Sequence, residues 1–463
     1  MTDSQSSENA IDRFFGIGEA GSTVRREVVG GLTTFATMSY IIFVQPTVLS
    51  AAGMPFGSVL LATCFSAAFA SILMGFLARY PFAQAPGMGQ NFLFAFTVCA
   101  PVGMGGMGFS WQAGLFIVLC SGIIFLTLSF FQFREKVVDV LPACLKHSIG
   151  PGIGLFIAFV GLQWGGIIVH SPSTMVQMGS FHTGPALLTT GGTLLIVALL
   201  ARGIRGAILI GILGTAGVGV ATGVVPYSYE PFEFSVETFF RLSPSEALAS
   251  WPNALLAIGL FFFLDLFDTV GTLVGVGAQG GFLDEEGRLK RANQAFISDA
   301  SGSCFGALCG TSTVTTYVES ATGIAAGART GLAAVVTGLS FLAAIVLAPV
   351  VRIVGEDVGP AFYGEEAGVQ ISMYPAVAPA LITVGCLMMT PLRKVNWDDY
   401  TESFPAFLTV VGMVLGYGIT EGIALGCISY VLIKGLSGQW RDVHPILAII
   451  ALALILRYAF LMA

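Results

Sequence analysis

Hydrophobic positions along the chain gather into fifteen apolar segments, separated by short polar, glycine-rich or charged connections. Most segments approach the roughly 20 residues that a helix needs to cross a bilayer, so the pattern predicts an all-α polytopic membrane protein. The first fourteen are predicted to span, and the last either spans or lies at the interface. The segments lie at 28–50, 57–79, 82–99, 111–132, 140–168, 184–201, 204–225, 254–276, 293–309, 312–328, 331–351, 373–392, 402–418, 420–437 and 444–462.

Composition agrees with a membrane location. Of the 463 residues, 55% are hydrophobic and 10% are charged, whereas a soluble domain carries about 25% charged residues. The net charge of −7 argues against nucleic acid as a partner. The eight cysteines show no CxxC spacing, so they predict neither a metal site nor a disulfide framework.

Basic residues favour one orientation of the chain in the membrane. Arg79, Arg202 and Arg329 fall in even-numbered connections, whereas the other connections are glycine-rich, uncharged or acidic. Positively charged connections stay on the cytoplasmic side. We therefore expect a multi-pass protein of the cell (inner) membrane with its N-terminus, a polar and solvated tail at 1–26, in the cytoplasm.

The third and tenth segments do not read as continuous helices. Residues 80–96 and 309–327 each begin with about six residues rich in proline or threonine, which favour extended backbone. Each segment is predicted to form a short strand and then a half-helix, whose positive N-terminal end faces a polar cavity. At a single offset of 231 the two segments correspond, and Thr34 also falls on Asp265 (265 − 34 = 231). With seven segments per half, this offset predicts two inverted repeats.

Three acids lie inside this apolar framework: Asp265 and Asp268 in the eighth segment, and Glu319 at the start of the tenth half-helix. Each acid at a helix centre costs about 2.5 to 3.5 kcal/mol on insertion scales, so such residues mark function. The spacing of three places both aspartates on one helix face, which is expected to look into the cavity, with Asp265 either at the site or behind it. Unpaired carboxylates in a dry site can hold protons, so Asp268, Asp265 and Glu319 are candidates for proton coupling.

Amide and aromatic side chains flank the acids in the sequence. Flat rings that enclose a ligand, with carboxylates and an amide to read its edge, suit a planar heterocycle that carries N–H donors. A sugar would need more polar groups, and three acids would repel an inorganic anion. No metal or cofactor is implied. The predicted substrate-binding residues are Asp268, Glu319, Asn91, Phe92, Tyr317 and Gln90.

Four motifs resemble those of the azaguanine-type purine permeases (guanine, hypoxanthine or adenine) in the nucleobase-cation symporter 2, or nucleobase-ascorbate transporter, superfamily. They are GGLTTFATMSYIIFVQP (30–46), APGMGQN (85–91), FLDLFDTVGTLVGV (263–276) and TSTVTTYVESATGIAAGARTG (311–331). The resemblance implies a secondary active transporter that imports a purine nucleobase, with protons as the coupling ion and alternating access. It places Asp268, Glu319, Tyr317 and Phe92 where uracil permeases of the same superfamily contact the base. Gln45 departs from the family pattern, which usually has asparagine there.

The resemblance also implies a core domain and a gate domain, each with parts from both repeats. An anion (sulfate-type) transporter of the same architecture and, remotely, an intramembrane aspartyl protease are the alternatives. The sequence leaves open the preferred purine, the coupling ion, and whether the protein forms a homodimer. The predicted boundaries are a cytoplasmic tail at 1–26, core at 27–132, gate at 133–250, core at 251–353, gate at 354–437 and an extra hydrophobic segment at 438–463.

Overall fold

The computed structural model describes most of the chain. The predicted boundary between 132 and 133 and the first nine residues of the predicted tail lie outside the described residues. The described ranges are 10–104, 106–130, 141–171, 173–226, 235–284, 289–355, 358–361 and 371–460.

Helices dominate these ranges, and the only strands in them are short. The helices are α1 Ala10–Phe15, α2 Val24–Met38, α3 Ile41–Ser50, α4 Phe56–Leu77, α5 Met88–Leu93, α6 Trp111–Phe130, α7 Ala143–Trp164, α8 Gly184–Ala201, α9 Ala207–Ala221, α10 Pro244–Ala249, α11 Trp251–Gly280, α12 Ala292–Cys309, α13 Ser320–Ala325, α14 Gly331–Ala344, α15 Ala348–Val354, α16 Ala378–Leu387, α17 Tyr400–Leu415, α18 Ile419–Leu436 and α19 Pro445–Phe460. The strands are β1 Gln84–Pro86, β2 Ile168–Ser171, β3 Met175–Met178, β4 Val314–Thr316, β5 Pro360–Ala361 and β6 Ile371–Ser372.

Eight helices in the described ranges are long and apolar enough to cross a membrane, when α2 with α3 and α14 with α15 each count as one. Two shorter apolar helices, α9 and α17, add to them. The predicted all-α polytopic architecture is confirmed. The count of fourteen spans stays a prediction, as does the placement of the sixteen-residue helix α19, which packs against α18.

The two broken segments form as predicted. Strands β1 and β4 pair antiparallel, with Gln84 opposite Thr316 and Pro86 opposite Val314. Each strand leads into a six-residue helix, α5 or α13. The strands are three residues long rather than about six. This pairing satisfies part of the non-helical backbone, and the hydroxyls of Ser71 and Ser303 bond to the backbone of Gln84 and Val314. Such satisfaction is the condition for non-helical backbone inside a membrane protein.

Packing repeats between the two halves of the chain. Helix α4 packs on α14 and α12 packs on α6, while α7 packs on α16. Gly154 of α7 and Gly385 of α16 lie where these two helices touch, and they are 231 positions apart in the chain (385 − 154 = 231). A Cβ on Gly154 would lie 2.8 Å from the Gly385 carbonyl oxygen, and one on Gly385 would lie 2.3 Å from that of Gly154. This mutual contact at the repeat offset supports the predicted internal repeat.

Most side chains at 11–21 of the predicted solvated tail are exposed, but two apolar ones are not. Phe15 and Ile17 are buried, and the rings of Phe14 and Phe15 pack on Phe76 of α4. Helix α2 begins at Val24, inside the predicted tail. The apolar side chains in this stretch pack against α4. The composition of the whole stretch could not predict this contact.

Candidate functional site

Helix α11 packs against α5, β4 and α13, so one of its faces meets both broken segments. Asp268 lies on this face and is exposed. Its Oδ2 accepts a hydrogen bond from Gln90 Nε2 at 3.3 Å, and the Thr315 side chain also bonds to it. The structure therefore brings Gln90 and Asp268 together, in a place where a ligand can reach the carboxylate.

Glu319 occupies the N-cap position of α13 and is half-buried. Its Oε1 accepts a hydrogen bond from the hydroxyl of Tyr40 at 2.9 Å. Tyr40 itself lies in the interruption between α2 and α3. Within the described part of the chain, neither Glu319 nor Asp268 forms an ion pair. Both are thus carboxylates that a ligand can approach and that no cation neutralises there.

Asp265 lies behind the site rather than in it. Its side chain is 1% exposed, and Oδ2 accepts a hydrogen bond from the Ser303 hydroxyl of α12 at 3.1 Å. Three residues of α-helix advance by about 300°, which leaves an offset of about 60° between Asp265 and Asp268. Of the two placements that the sequence left open for Asp265, the observed one is behind the site. The two carboxylates bond to different elements, which is not the shared-proton arrangement of an aspartyl protease.

The other predicted residues divide between the site and its support. Tyr317 is buried, donates its hydroxyl to the Pro86 carbonyl at 2.6 Å, and its ring centroid lies 6.5 Å from that of Tyr40. Asn91 is fully buried and accepts a short hydrogen bond from the Ser312 hydroxyl. Phe92 is fully buried as well, and its ring packs on Phe96 and Phe156. In this conformation neither Asn91 nor Phe92 presents surface to a ligand.

A fourth acid within the apolar segments, Asp299 on α12, was not anticipated, and it is fully buried. Its carboxylate accepts hydrogen bonds from Gln84 Nε2 at 2.8 Å, the Thr269 hydroxyl at 2.7 Å and the Thr316 hydroxyl at 3.1 Å. These partners belong to β1, α11 and β4. Asp299 therefore links the β1–β4 strand pair to α11, the helix that carries Asp268. A charge inside an apolar segment is the same signal that identified Asp265, and it was available at position 299.

Tyr40 was also missed as a site residue. It continues a polar spacing of three residues from Thr34 through Thr37. Thr37 Oγ1 lies 3.0 Å from Thr322 Oγ1 of α13. Polar side chains repeating at helical spacing inside an apolar helix indicate a packed polar partner. That spacing could have pointed to a contact with the tenth segment, although not to Glu319 in particular.

The apolar helices, together with the family and the relatives described next, define a multi-pass membrane transporter, not an enzyme. The sequence model described as "Permease family" matches residues 25–364. The chain therefore belongs to this family, the nucleobase-ascorbate transporter family, as its motifs indicated.

Curated relatives match almost end to end. The guanine/hypoxanthine permease PbuG of Bacillus subtilis is 42% identical, covering 97% of this chain and 99% of that protein. The adenine permease AdeP of Escherichia coli is 41% identical, covering 99% of this chain and 98% of that protein. Among solved structures, the transmembrane domain of the cyanobacterium bicarbonate transporter BicA is similar, with a TM-score of 0.64 and 11% identity over 87% of this chain and 97% of that chain. The likeness to BicA concerns the fold alone.

Proposed function

We propose that the protein imports purine nucleobases, with guanine and hypoxanthine favoured and adenine as an alternative, by proton symport with alternating access. The observation that carries this proposal is the pair of reachable carboxylates, Asp268 and Glu319, with no basic partner among the described residues. Purine N–H groups are donors that such carboxylates accept strongly, because hydrogen bonds to charged groups exceed neutral ones. The guanine/hypoxanthine and adenine permeases among the relatives support the same substrate class.

The two carboxylates are assigned different tasks. Glu319 receives a 2.9 Å hydrogen bond from Tyr40, which stabilises its charge, so we assign it to the purine N–H edge. Asp268 receives a longer bond of 3.3 Å from Gln90 and is exposed, so we assign it the transported proton as well as a contact with the base. Asp265 supports α11 from behind. Gln90 and Tyr317 complete the site, and Asn91 and Phe92 enter it when the surrounding helices move.

Transport requires one group of helices to move against another. We assign the core to 27–132 and 251–353, and the gate to 133–250 and 354–437. The N-terminus is placed in the cytoplasm and the protein in the cell (inner) membrane. Segment 438–463 is placed with the gate because α19 packs on α18. A homodimer is compatible with this division, since the core can move while the gate stays fixed.

An anion transporter is the second candidate, because the solved structures of similar fold include a bicarbonate transporter. Asp268 and Glu319 have no basic partner among the described residues and would repel an anion. This favours a purine over an anion as the substrate. Sulfate and purine uptake measured in the same cells separate the two candidates.

The test of the proposed site is equilibrium binding of radiolabelled guanine, hypoxanthine and adenine to the purified protein. Replacing Glu319 by Gln should weaken purine binding by about 1.5 to 3 kcal/mol, the range for a hydrogen bond to a charged group. The matched control is Glu246→Gln. Outside the site, Oε1 of Glu246 accepts a hydrogen bond from the Ser110 backbone N–H at 2.7 Å. Unchanged purine affinity in Glu319→Gln would remove Glu319 from the site.

A further inference from the structure

Tyr417 has a backbone conformation that tyrosine rarely adopts. It lies just after the end of α17, and its φ is +47°, in the left-handed region. Its N–H bonds to the Val414 carbonyl and the N–H of Gly418 bonds to the Met413 carbonyl, which is the pattern of a Schellman motif. Glycine is the usual residue at this position, because it has no Cβ. A bulky residue held in such a conformation indicates that its side chain has a role.

The ring of Tyr417 packs edge-to-face against three phenylalanine rings. The centroid distances are 5.4 Å to Phe156, 6.2 Å to Phe96 and 6.2 Å to Phe159. Edge-to-face contact is a favourable arrangement of aromatic rings. The Tyr417 hydroxyl donates to Gln163 Oε1 at 3.2 Å. The ring is therefore held by α7 on one side and by the helical turn after α5 on the other.

These rings lie on both sides of the boundary between the proposed core and gate. Phe96 belongs to the core, whereas Tyr417 and Phe156 belong to the gate. Two further ring pairs cross the same boundary, Phe92 with Phe156 at 6.1 Å and Phe96 with Trp164 at 6.4 Å. Phe92 and Phe156 are fully buried, and Trp164 is nearly so. The five residues form an aromatic cluster that joins core and gate in this conformation.

The aromatic cluster lies beside the candidate site and toward one side of the membrane. Gln90, which bonds to Asp268, is two residues before Phe92 on α5. Trp164 ends α7 and Tyr417 follows α17, and the connections after both helices contain no arginine or lysine. The connections before these helices are basic, with Arg134 and Lys136 or with Arg393 and Lys394. Because basic connections stay in the cytoplasm, the aromatic cluster is assigned to the extracellular side.

We infer that Tyr417 is a gating residue that closes the candidate site on the extracellular side, and that the site opens to that side when Phe96 and Tyr417 separate. Contacts that form in only one of two conformations favour that conformation. Loss of the Tyr417 ring therefore shifts the population toward the form that is open to the outside. This inference rests on the alternating access of the proposed function, but not on the identity of the substrate.

The experiment measures from which side of the membrane a thiol in the site can be labelled. Gln90→Cys introduces the thiol, and an impermeant maleimide is applied to intact cells and to inside-out vesicles. Mass spectrometry distinguishes label at position 90 from label on the eight native cysteines. Adding Tyr417→Gly, which removes the ring at a position that favours glycine, should raise labelling from outside about two- to tenfold, as for one lost aromatic pair. Labelling from the cytoplasmic side should fall.

Phe240→Gly is the matched control, because Phe240 is another aromatic residue at positive φ, +56°, but is exposed and lies outside the aromatic cluster. It should leave labelling from both sides unchanged. Tyr417→Phe keeps the ring and loses only a bond to Gln163, which is also in the gate, so it should change labelling little. Phe96→Leu removes the same ring pair from the core side and should act like Tyr417→Gly, which keeps the test decisive if the glycine variant does not fold.

Unchanged labelling from outside in folded Tyr417→Gly or Phe96→Leu overturns the inference about Tyr417. So does a rise from both sides, which is the result expected if the ring only stabilises the packing. Neither measurement involves a purine. If the labelling changes as expected while the protein binds no purine, the proposed substrate fails and the gating role of Tyr417 stands.

Discussion

Replacing Gly323 by Ala tests whether the contact between α2 and α13 positions the site. The new Cβ would lie 2.1 Å from Thr34 Oγ1 and 2.6 Å from the Gly30 carbonyl oxygen. The threonine can rotate, but the carbonyl belongs to the helix backbone. Ordinary contact begins near 3.4 Å, so the two helices must separate by about 0.8 Å (3.4 − 2.6). Overpacking of this kind costs about 1 to 3 kcal/mol of stability.

The same separation weakens the site. The hydrogen bond from Tyr40 to Glu319 crosses this interface at 2.9 Å, and a shift of about 0.8 Å along it would give roughly 3.7 Å, beyond hydrogen-bond range. We expect purine affinity to fall about tenfold, as for one lost hydrogen bond to a charged group.

The assay is equilibrium binding with thermal unfolding of the same samples. Gly217→Ala is the control, because Gly217 lies in α9 and the methyl group that alanine adds there would have no neighbouring atom of the described residues within 4 Å. Alanine in a helix is favoured over glycine, so the control should be at least as stable as the unmodified protein and bind purine normally. Full purine affinity in a folded Gly323→Ala protein would refute the proposed link between helix packing and Glu319.

Three further predictions follow from the same geometry. Asp268→Asn should still bind purine but lose accumulation against a gradient in proteoliposomes, whereas Asp265→Asn should be milder; the reverse order would exchange their assigned roles. Asp299→Ala should lower the midpoint of thermal unfolding, since each buried donor left without its acceptor costs about 1 to 3 kcal/mol. An unchanged midpoint would argue against a role of Asp299 in linking α11 to the β1–β4 pair. A cysteine pair at Gly89 and Ile153, whose Cβ positions lie 4.0 Å apart, should form a disulfide that blocks uptake until reduction; full uptake with the bond confirmed would count against relative motion of core and gate.

The sequence could predict the elements of the site better than their contacts. The strands of the broken segments followed from local preferences, because Pro86 and the threonines before Tyr317 disfavour helix. The separation of Asp265 from Asp268 could not follow from a spacing of three, since a 60° offset places a side chain either in a cavity or against a neighbour depending on which helix packs there.

Local sequence patterns could not predict hydrogen bonds between residues that are far apart in the chain. The bond between Tyr40 and Glu319 joins residues 279 positions apart, and the interruption of the first segment before Ile41 has no proline or glycine at 38–41 to indicate it. Asp299 differs from these, because an acid in an apolar segment is visible in the sequence. Only its three partners, on three other elements, required the structure.

The most direct test of the central claim is uptake by cells that lack their own nucleobase transporters. Radiolabelled guanine, hypoxanthine, adenine, xanthine and uracil, with sulfate as the anion control, are supplied with and without a protonophore to cells that make the unmodified protein or Glu319→Gln. The account predicts saturable, protonophore-sensitive uptake of guanine and hypoxanthine, or of adenine, that Glu319→Gln strongly reduces. Uptake of sulfate without uptake of any purine would contradict it.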